Sequence, residues 1–547
     1  MSAPRPRSTR ATGLLLLTAA VSTSLLSAGQ ALAVAGPEAD VGQYAYAAKL
    51  NIGDEANSRA CTAVLVDANW ILTAASCFAD TPGQTPPAGK PKLKATVTLG
   101  SGSAEIAELV PRSDRDVVLA KLTTPVTGVT PAKFASTAPS AGSALTAAGF
   151  GRTKTEWVPD KVHTGSFTAG ATTATEVPLS SASGTTDTIC QGDAGGPVLN
   201  TDGEVTAISS RSWKGGCLGT NPTETRTSAI SVRTDDLREW IDTTRAQAPG
   251  WKTQALVQSG SSIYQATRVN DGSWTGFTDV QSKATSIGGI RTAAAAGIDS
   301  ATHVLAVSNN GGLFHTVRNP NGTWAAFGDV FPMTNSLGGL TQVSAVSIGG
   351  DLHVVAVASG KVFHTMRKAD GNWTRFGDLS AVAGQIGTVT SVATAATASG
   401  QLQVVPVAGG KAFHTIRNAA GQWSAWGNIA AAAGDRGPIS SVSMAGIGGD
   451  AHIVIATDNG TRQHHGMRNA NGTWEAFAEL NGVLGTITTK SVAAAGVNGE
   501  LQLTVTTTDG KVLHTTRRTD RTWATTLAVP GLPANPGQIT ITATLNN

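Results

Sequence analysis

Tryptophan recurs in the second half of this chain at an interval that leaves few folds open. It stands at Trp274, Trp324, Trp373, Trp423, Trp474 and Trp523, with gaps of 50, 49, 50, 51 and 49 residues. An arginine precedes each by six residues: Arg268, Arg318, Arg367, Arg417, Arg468 and Arg517. Three residues before the arginine, five of the six units carry histidine (His315, His364, His414, His465 and His514), and the first carries Gln265. A unit this short cannot bury its own apolar face. Repetition at about 50 residues, with three or four short strands per unit, therefore predicts a β-propeller.

The phase of the repeat predicts how the ring closes. Each full unit reads as an Ala/Val/Thr-rich strand, a strand like 352–357, a strand like 361–367, and then the tryptophan strand. The region from Gln254 lacks the first of these, while Ile539-Thr540-Ile541-Thr542-Ala543-Thr544 stands alone near the other end of the repeats. That segment is expected to complete blade one and close a ring of six. The Asn-Gly, Asp-Gly and Ala-Gly pairs before tryptophan read as hairpin turns with positive φ. Asn321-Gly322-Thr323 also spells a glycosylation triplet, but the turn accounts for it.

The unit resembles the lectin-like propellers of the tectonin and Photorhabdus-lectin type over most of 252–547, which implies sugar sites on or between blades. An aromatic face and a planar guanidinium suit a sugar, one stacking on its C–H face and the other supplying paired donors. The same three residues in every unit are equally what a packing motif looks like, so scaffold and ligand contact both stay open. Residues three apart on a strand face opposite sides, so the His and Arg of one unit are not expected to line one simple site. No segment calls for a cofactor. The five histidines at this repeat position lie one to a unit, with only His464-His465 a tight pair, and make no zinc ligand set.

Residues 1–33 read as a secretory leader. Arg5, Arg7 and Arg10 precede the apolar Leu14–Leu17, and Ala31-Leu32-Ala33 fits a cleavage site. Its removal takes away three of 40 basic residues and no acid, leaving 37 against 37 acidic and no net charge. No basic run remains, so nucleic acid is not an expected partner, and no other segment is long and apolar enough to span a bilayer. Four cysteines in an exported chain read as two disulfides, with three pairings open, and all four lie between Cys61 and Cys217.

The first half, 34–247, is similar to the trypsin-like serine proteases across its whole span. Residues 72–77 (LTAASC), 116–122 (DVVLAKL), 149–152 (GFGR), 190–197 (CQGDAGGP) and 237–242 (LREWID) resemble that family's landmarks, in the family's order. The resemblance implies two packed six-stranded barrels, and hence an all-β chain: a double barrel, a linker at 248–251, and a six-bladed propeller over 252–547. It pairs Cys61 with Cys77 and Cys190 with Cys217. It also places Ser76 where the family has its catalytic histidine and Ala194 where it has its nucleophile. Asp116 holds the position of the orienting acid, Gly192 and Ala194 those of the oxyanion-hole amides, and Thr188 that of the specificity residue. Val34–Ala39 resembles the family's mature start, whose amine would pair with Asp193; the alternative is that Asp193 caps local backbone amides.

In that mechanism histidine takes the serine proton while aspartate orients the histidine. Here only the orienting member is left. His163 is the one histidine remaining in the domain, and nothing in its setting marks a catalytic role. The expected function is that of a secreted, extracellular protease homologue without its base and nucleophile. Its propeller is expected to bind a glycan or an extracellular or cell-surface protein. The rival expectations are an active endopeptidase with a sugar-binding propeller, and a purely structural scaffold.

Overall fold

A computed structural model describes residues 37–54, 57–81, 83–100 and 102–546. The leader at 1–33 and the start at Val34 lie outside the described residues. The first domain is two closed six-stranded barrels. One is built from Ala47–Ile52, Arg59–Asp67, Trp70–Thr73, Ala95–Leu99, Gly102–Pro111 and Val118–Leu122. The other comprises Ala144–Gly149, His163–Ala169, Glu176–Ser181, Pro197–Leu199, Val205–Ser212 and Ala229–Arg233. Taken in chain order, both close in the sequence first, second, third, sixth, fifth, fourth. Period-2 patterning makes these strands: Ala95, Val97 and Leu99 point into the first core while Thr96 and Thr98 face outward. Val64, Leu72 and Leu119 of one barrel meet Leu199, Ile208 and Val232 of the other at a shared apolar seam.

The second domain is six four-stranded antiparallel sheets. In the first, Gly250–Ser259 pairs with Pro536–Asn546, in register from Gly250 opposite Asn546, so the late strand closes the ring as predicted. This pairing starts the propeller at Gly250, two residues inside the span expected to be linker; only Ala248 and Pro249 separate it from the helix Arg238–Gln247. The second strand of each blade is buried on both faces between neighbouring blades, as at Leu352–Ala358, and so reads as a near-continuous apolar run. The hairpin turns are present. Gly322 has φ of 84°, and the Asn321 carboxamide oxygen accepts from Thr323 N and Oγ1 at 3.1 and 2.7 Å. No described helix is long and apolar enough to cross a membrane.

The domains dock through the Arg238–Gln247 helix. Arg245 and Asp67, both buried, form an ion pair, and Arg245 also bonds Asp242 at 2.9 Å and Ser273 Oγ, across in the propeller, at 2.6 Å. Asn546 Nδ2 donates to the Ala246 carbonyl at 2.6 Å, which ties the closing strand to the same helix.

Candidate functional site

Ser76 lies in the single 3-10 turn Ala75–Cys77 that follows strand Trp70–Thr73, and the Cys61–Cys77 disulfide pins that turn. Asp116 faces it from just before strand Val118–Leu122. The carboxylate is fully engaged. Oδ1 accepts from Ser76 N at 2.7 Å, and Oδ2 accepts from Ser76 Oγ at 3.0 Å and Ser210 Oγ at 2.6 Å. A serine hydroxyl already donating to a carboxylate has no basic lone pair comparable to an imidazole's. Sequence reasoning missed Ser210, since no motif marks it.

Ala194 sits across the seam in the turn framed by the Cys190–Cys217 disulfide. Its methyl packs against the first barrel's core and its carbonyl accepts from Thr62 N at 2.9 Å. Among the described residues, neither the Gly192 nor the Ala194 amide donates to a protein acceptor. Asp193 is buried beneath, accepting from Gly151 N at 2.7 Å and Cys190 N at 2.8 Å. Burial pushes its carboxyl up to about 7 against the pull of these two amides. Thr188 is fully buried, and the cleft wall beside it is formed instead by Ile189 and Ser212. The cleft encloses about 440 Å³, and Arg59, Arg152 and Lys214 are among its lining. His163 lies in a strand opposite Gly149 and does not line the cleft.

In the propeller the repeated residues meet across blades. Each histidine ring meets the tryptophan of the next blade edge-on. His315 faces Trp373, His364 Trp423, His414 Trp474 and His465 Trp523, with centroids 5.8, 5.3, 5.3 and 5.9 Å apart. His514 faces Trp274 at 5.7 Å and completes the circle. The arginine of the following blade is close enough for its charge to act on the same histidine, as Arg367 does on His315 and Arg268 on His514. Within one blade His and Arg do face opposite ways; ring closure brings His of one blade beside Arg and Trp of the next.

A second repeated position, not singled out in the sequence, fixes these histidines. His303, His353 and His452 stack on His315, His364 and His465, sharing one N–H between Nδ1 and Nε2 at 3.0, 3.1 and 2.9 Å. Gln403 and Gln502 play the same part for His414 and His514, each at 2.7 Å. Gln254 does so for Gln265 at 2.8 Å. Burial, with the neighbouring arginine adding to it, lowers His315, His364, His414, His465 and His514 to about 3, so these rings are neutral near pH 7. His464 turns away from His465 and meets Thr457 Oγ1 at 3.2 Å. Among the described residues no group of three or more His, Cys, Asp or Glu is placed to hold a metal.

All six arginines and all six tryptophans are half-buried. Among the described residues none of these guanidinium or indole groups makes a hydrogen bond or an ion pair. Carboxylates act on some of them at longer range, Asp271 and Glu500 on Arg268 and Glu475 on Arg517, without pairing. The turn glycine before each of the first five tryptophans lies under the guanidinium. At Gly272 and Gly421 an added Cβ would stand 2.8 and 2.9 Å from arginine Nη2. A threonine clamp holds the tryptophan segment: Thr316, Thr365, Thr415 and Thr515 donate through Oγ1 to the carbonyl just after Trp at 2.6, 2.6, 2.6 and 2.8 Å.

The groove between blades one and two differs from the others. It contains Gln265, Arg318 and Trp324, and its outer wall is the Arg238–Gln247 helix of the barrel domain, through Arg238, Glu239, Asp242 and Thr243. The repeat lacking histidine is therefore among those that meet the other domain, beside Gly322 of the second repeat, which lies against Thr243.

Residues 33–241 match the profile of the protein family described as Trypsin. The match is confined to the double barrel and leaves the propeller outside. Among solved structures, the chain is similar to neuropsin, described as a serine protease expressed in the limbic system of mouse brain. The identity is 20%, the coverage 38% of this chain and 98% of that one, and the TM-score 0.31. No curated protein sequence matches the chain. The molecule is a trypsin-like double β-barrel joined to a six-bladed β-propeller.

Proposed function

We propose that this is an exported, non-catalytic binding protein: a protease-like barrel without its base and nucleophile, carrying a propeller that binds carbohydrate through the grooves between blades. The observation that carries the first part is the closed circuit at the seam. Asp116 is satisfied by Ser76 and Ser210, and Ala194 offers a methyl where a nucleophile would stand. Losing the serine or the histidine alone costs roughly 10⁶ in turnover in such enzymes. An oxyanion hole by itself leaves about 10³ over water. The paired disulfides, with no free cysteine among the described residues, support an oxidising destination.

For the propeller the support is the recurrence of one half-buried aromatic and one unpaired guanidinium at every blade junction. Several weak sites on one rigid ring act together on a polymeric ligand through avidity. The test is retention of the full-length protein on columns of immobilised polysaccharide, alongside an assay of mixed peptide substrates. Retention without hydrolysis is expected. Peptide cleavage would overturn the non-catalytic reading, and passage through every column would overturn the carbohydrate reading.

A further inference from the structure

Each blade junction offers hydrogen-bond donors that the protein leaves unused. A guanidinium carries five N–H groups and an indole one, and neither has an acceptor of its own. Keeping a half-buried cation without a counter-ion is unfavourable: burial alone lowers Arg318 and is the first cause for Arg268, Arg468 and Arg517. A repeat that holds this arrangement six times is completed by oxygen acceptors from outside. A sugar hydroxyl supplies an oxygen but leaves the charge uncompensated. A carboxylate or sulfate ester supplies acceptor-only oxygens, matches the planar fork and cancels the charge.

One junction is walled by the other domain, whose carboxylates are engaged elsewhere and do not reach the Arg318 guanidinium. The groove between blades one and two, with Arg318 and Trp324, holds Glu239 and Asp242 of the barrel helix. Asp242 Oδ2 accepts from Gly276 N at 2.8 Å, and Glu239 Oε1 pairs with Lys283 Nζ at 2.8 Å. The Arg318 turn is pressed onto that helix, since a Cβ on Gly322 would stand 3.0 Å from Thr243 Cγ2.

We propose that the five other junctions recognise a negatively charged saccharide, its ring against tryptophan and its carboxylate or sulfate oxygens on arginine, while the sixth is walled off by the barrel's Arg238–Gln247 helix. This rests on the carbohydrate reading of the propeller and adds ligand charge and site number to it. The anion comes from either a uronic acid or a sulfated sugar, and the two share the same donor geometry.

The full-length protein is titrated calorimetrically with trigalacturonate, with its methyl ester, and with a sulfated galactose trisaccharide. Native mass spectrometry counts the bound copies. At least tenfold tighter binding of an anionic probe than of the neutral ester is expected, with five copies at saturation. A preference between the two anionic probes assigns the group. Arg417→Gln, once its thermal unfolding is shown to match the native chain's, is expected to lower the count to four. Equal affinity for ester and acid overturns the charge requirement and leaves carbohydrate binding standing. Six copies overturn the closure of the first groove. No binding of any probe, with no retention on polysaccharide, overturns both the inference and the reading beneath it.

Discussion

The seam of the double barrel and the junctions of the propeller handle polar groups in opposite ways. At the seam two side-chain hydroxyls and one backbone amide converge on the Asp116 carboxylate. At the junctions six guanidinium and six indole groups are held in place, five of the pairs backed by neutral histidines and one by Gln265, and among the described residues they are hydrogen-bonded to nothing. A polar site whose members satisfy one another is stable and inert toward ligand. One left incomplete carries a solvation penalty that a ligand removes. The two regions share short strands, yet they differ in whether their side-chain polar groups find partners within the protein.

The largest expected effect comes from reversing the seam. Ser76→His together with Ala194→Ser restores base and nucleophile beside Asp116. The double variant is expected to label with a fluorophosphonate and to turn over peptides, a gain on the roughly 10⁶ scale that separates intact from broken triads. Ala194→Ser alone is expected to stay inert, because Ser76 cannot take its proton. A silent double variant would place the divergence deeper in the cleft.

Next in size is an opposite response of the two domains to acid. Asp193 is raised from 3.8 to about 7 by burial, and burial raises Asp67 as well, so the folded barrel binds more protons than the unfolded chain across that window. Its stability falls as pH rises from about 4.5 to 7. The propeller histidines are lowered from 6.5 to about 3, so there the unfolded chain binds more protons and stability is lost as pH falls below 6.5. Each pKa unit is worth about 1.4 kcal/mol. Hydrogen exchange read by mass spectrometry at pH 5 and pH 7, corrected for intrinsic rate, is expected to show the barrel gaining protection and the propeller losing it on acidification. Slopes of the same sign would break the comparison.

Reduction separates the domains more gently. Both disulfides lie in the barrel. Dithiothreitol is expected to lower barrel stability by about 2–4 kcal/mol per bridge while leaving propeller exchange unchanged. The smallest effect is that of His414→Gln, which copies blade one. It keeps a partner for Gln403 but loses the ring contact with Trp474, at a cost of about 0.5–1.5 kcal/mol in thermal unfolding.

Much of this was legible in the residues. The tryptophan spacing gave the blade count, and the stray strand at 539–544 gave the closure, because both depend on order along the chain. The barrel landmarks placed Ser76, Asp116 and Ala194 by the same kind of order. Three features were not legible. The pairing of His315 with Trp373 arises only when blades are bent into a ring. The backing residues His303, His353, Gln403, His452 and Gln502 recur at the same interval, but an alternation of His and Gln conceals them from a search by identity. The closed first groove depends on how the Arg238–Gln247 helix docks, and the only trace of it in the sequence is Gln265.

The central contrast is tested most directly by intact-mass measurement of the full-length, disulfide-bonded protein after incubation with a fluorophosphonate, with an active trypsin-like enzyme as the positive control. The unmodified mass is predicted. A single stoichiometric phosphonyl adduct would show a working nucleophile in the barrel and contradict the account.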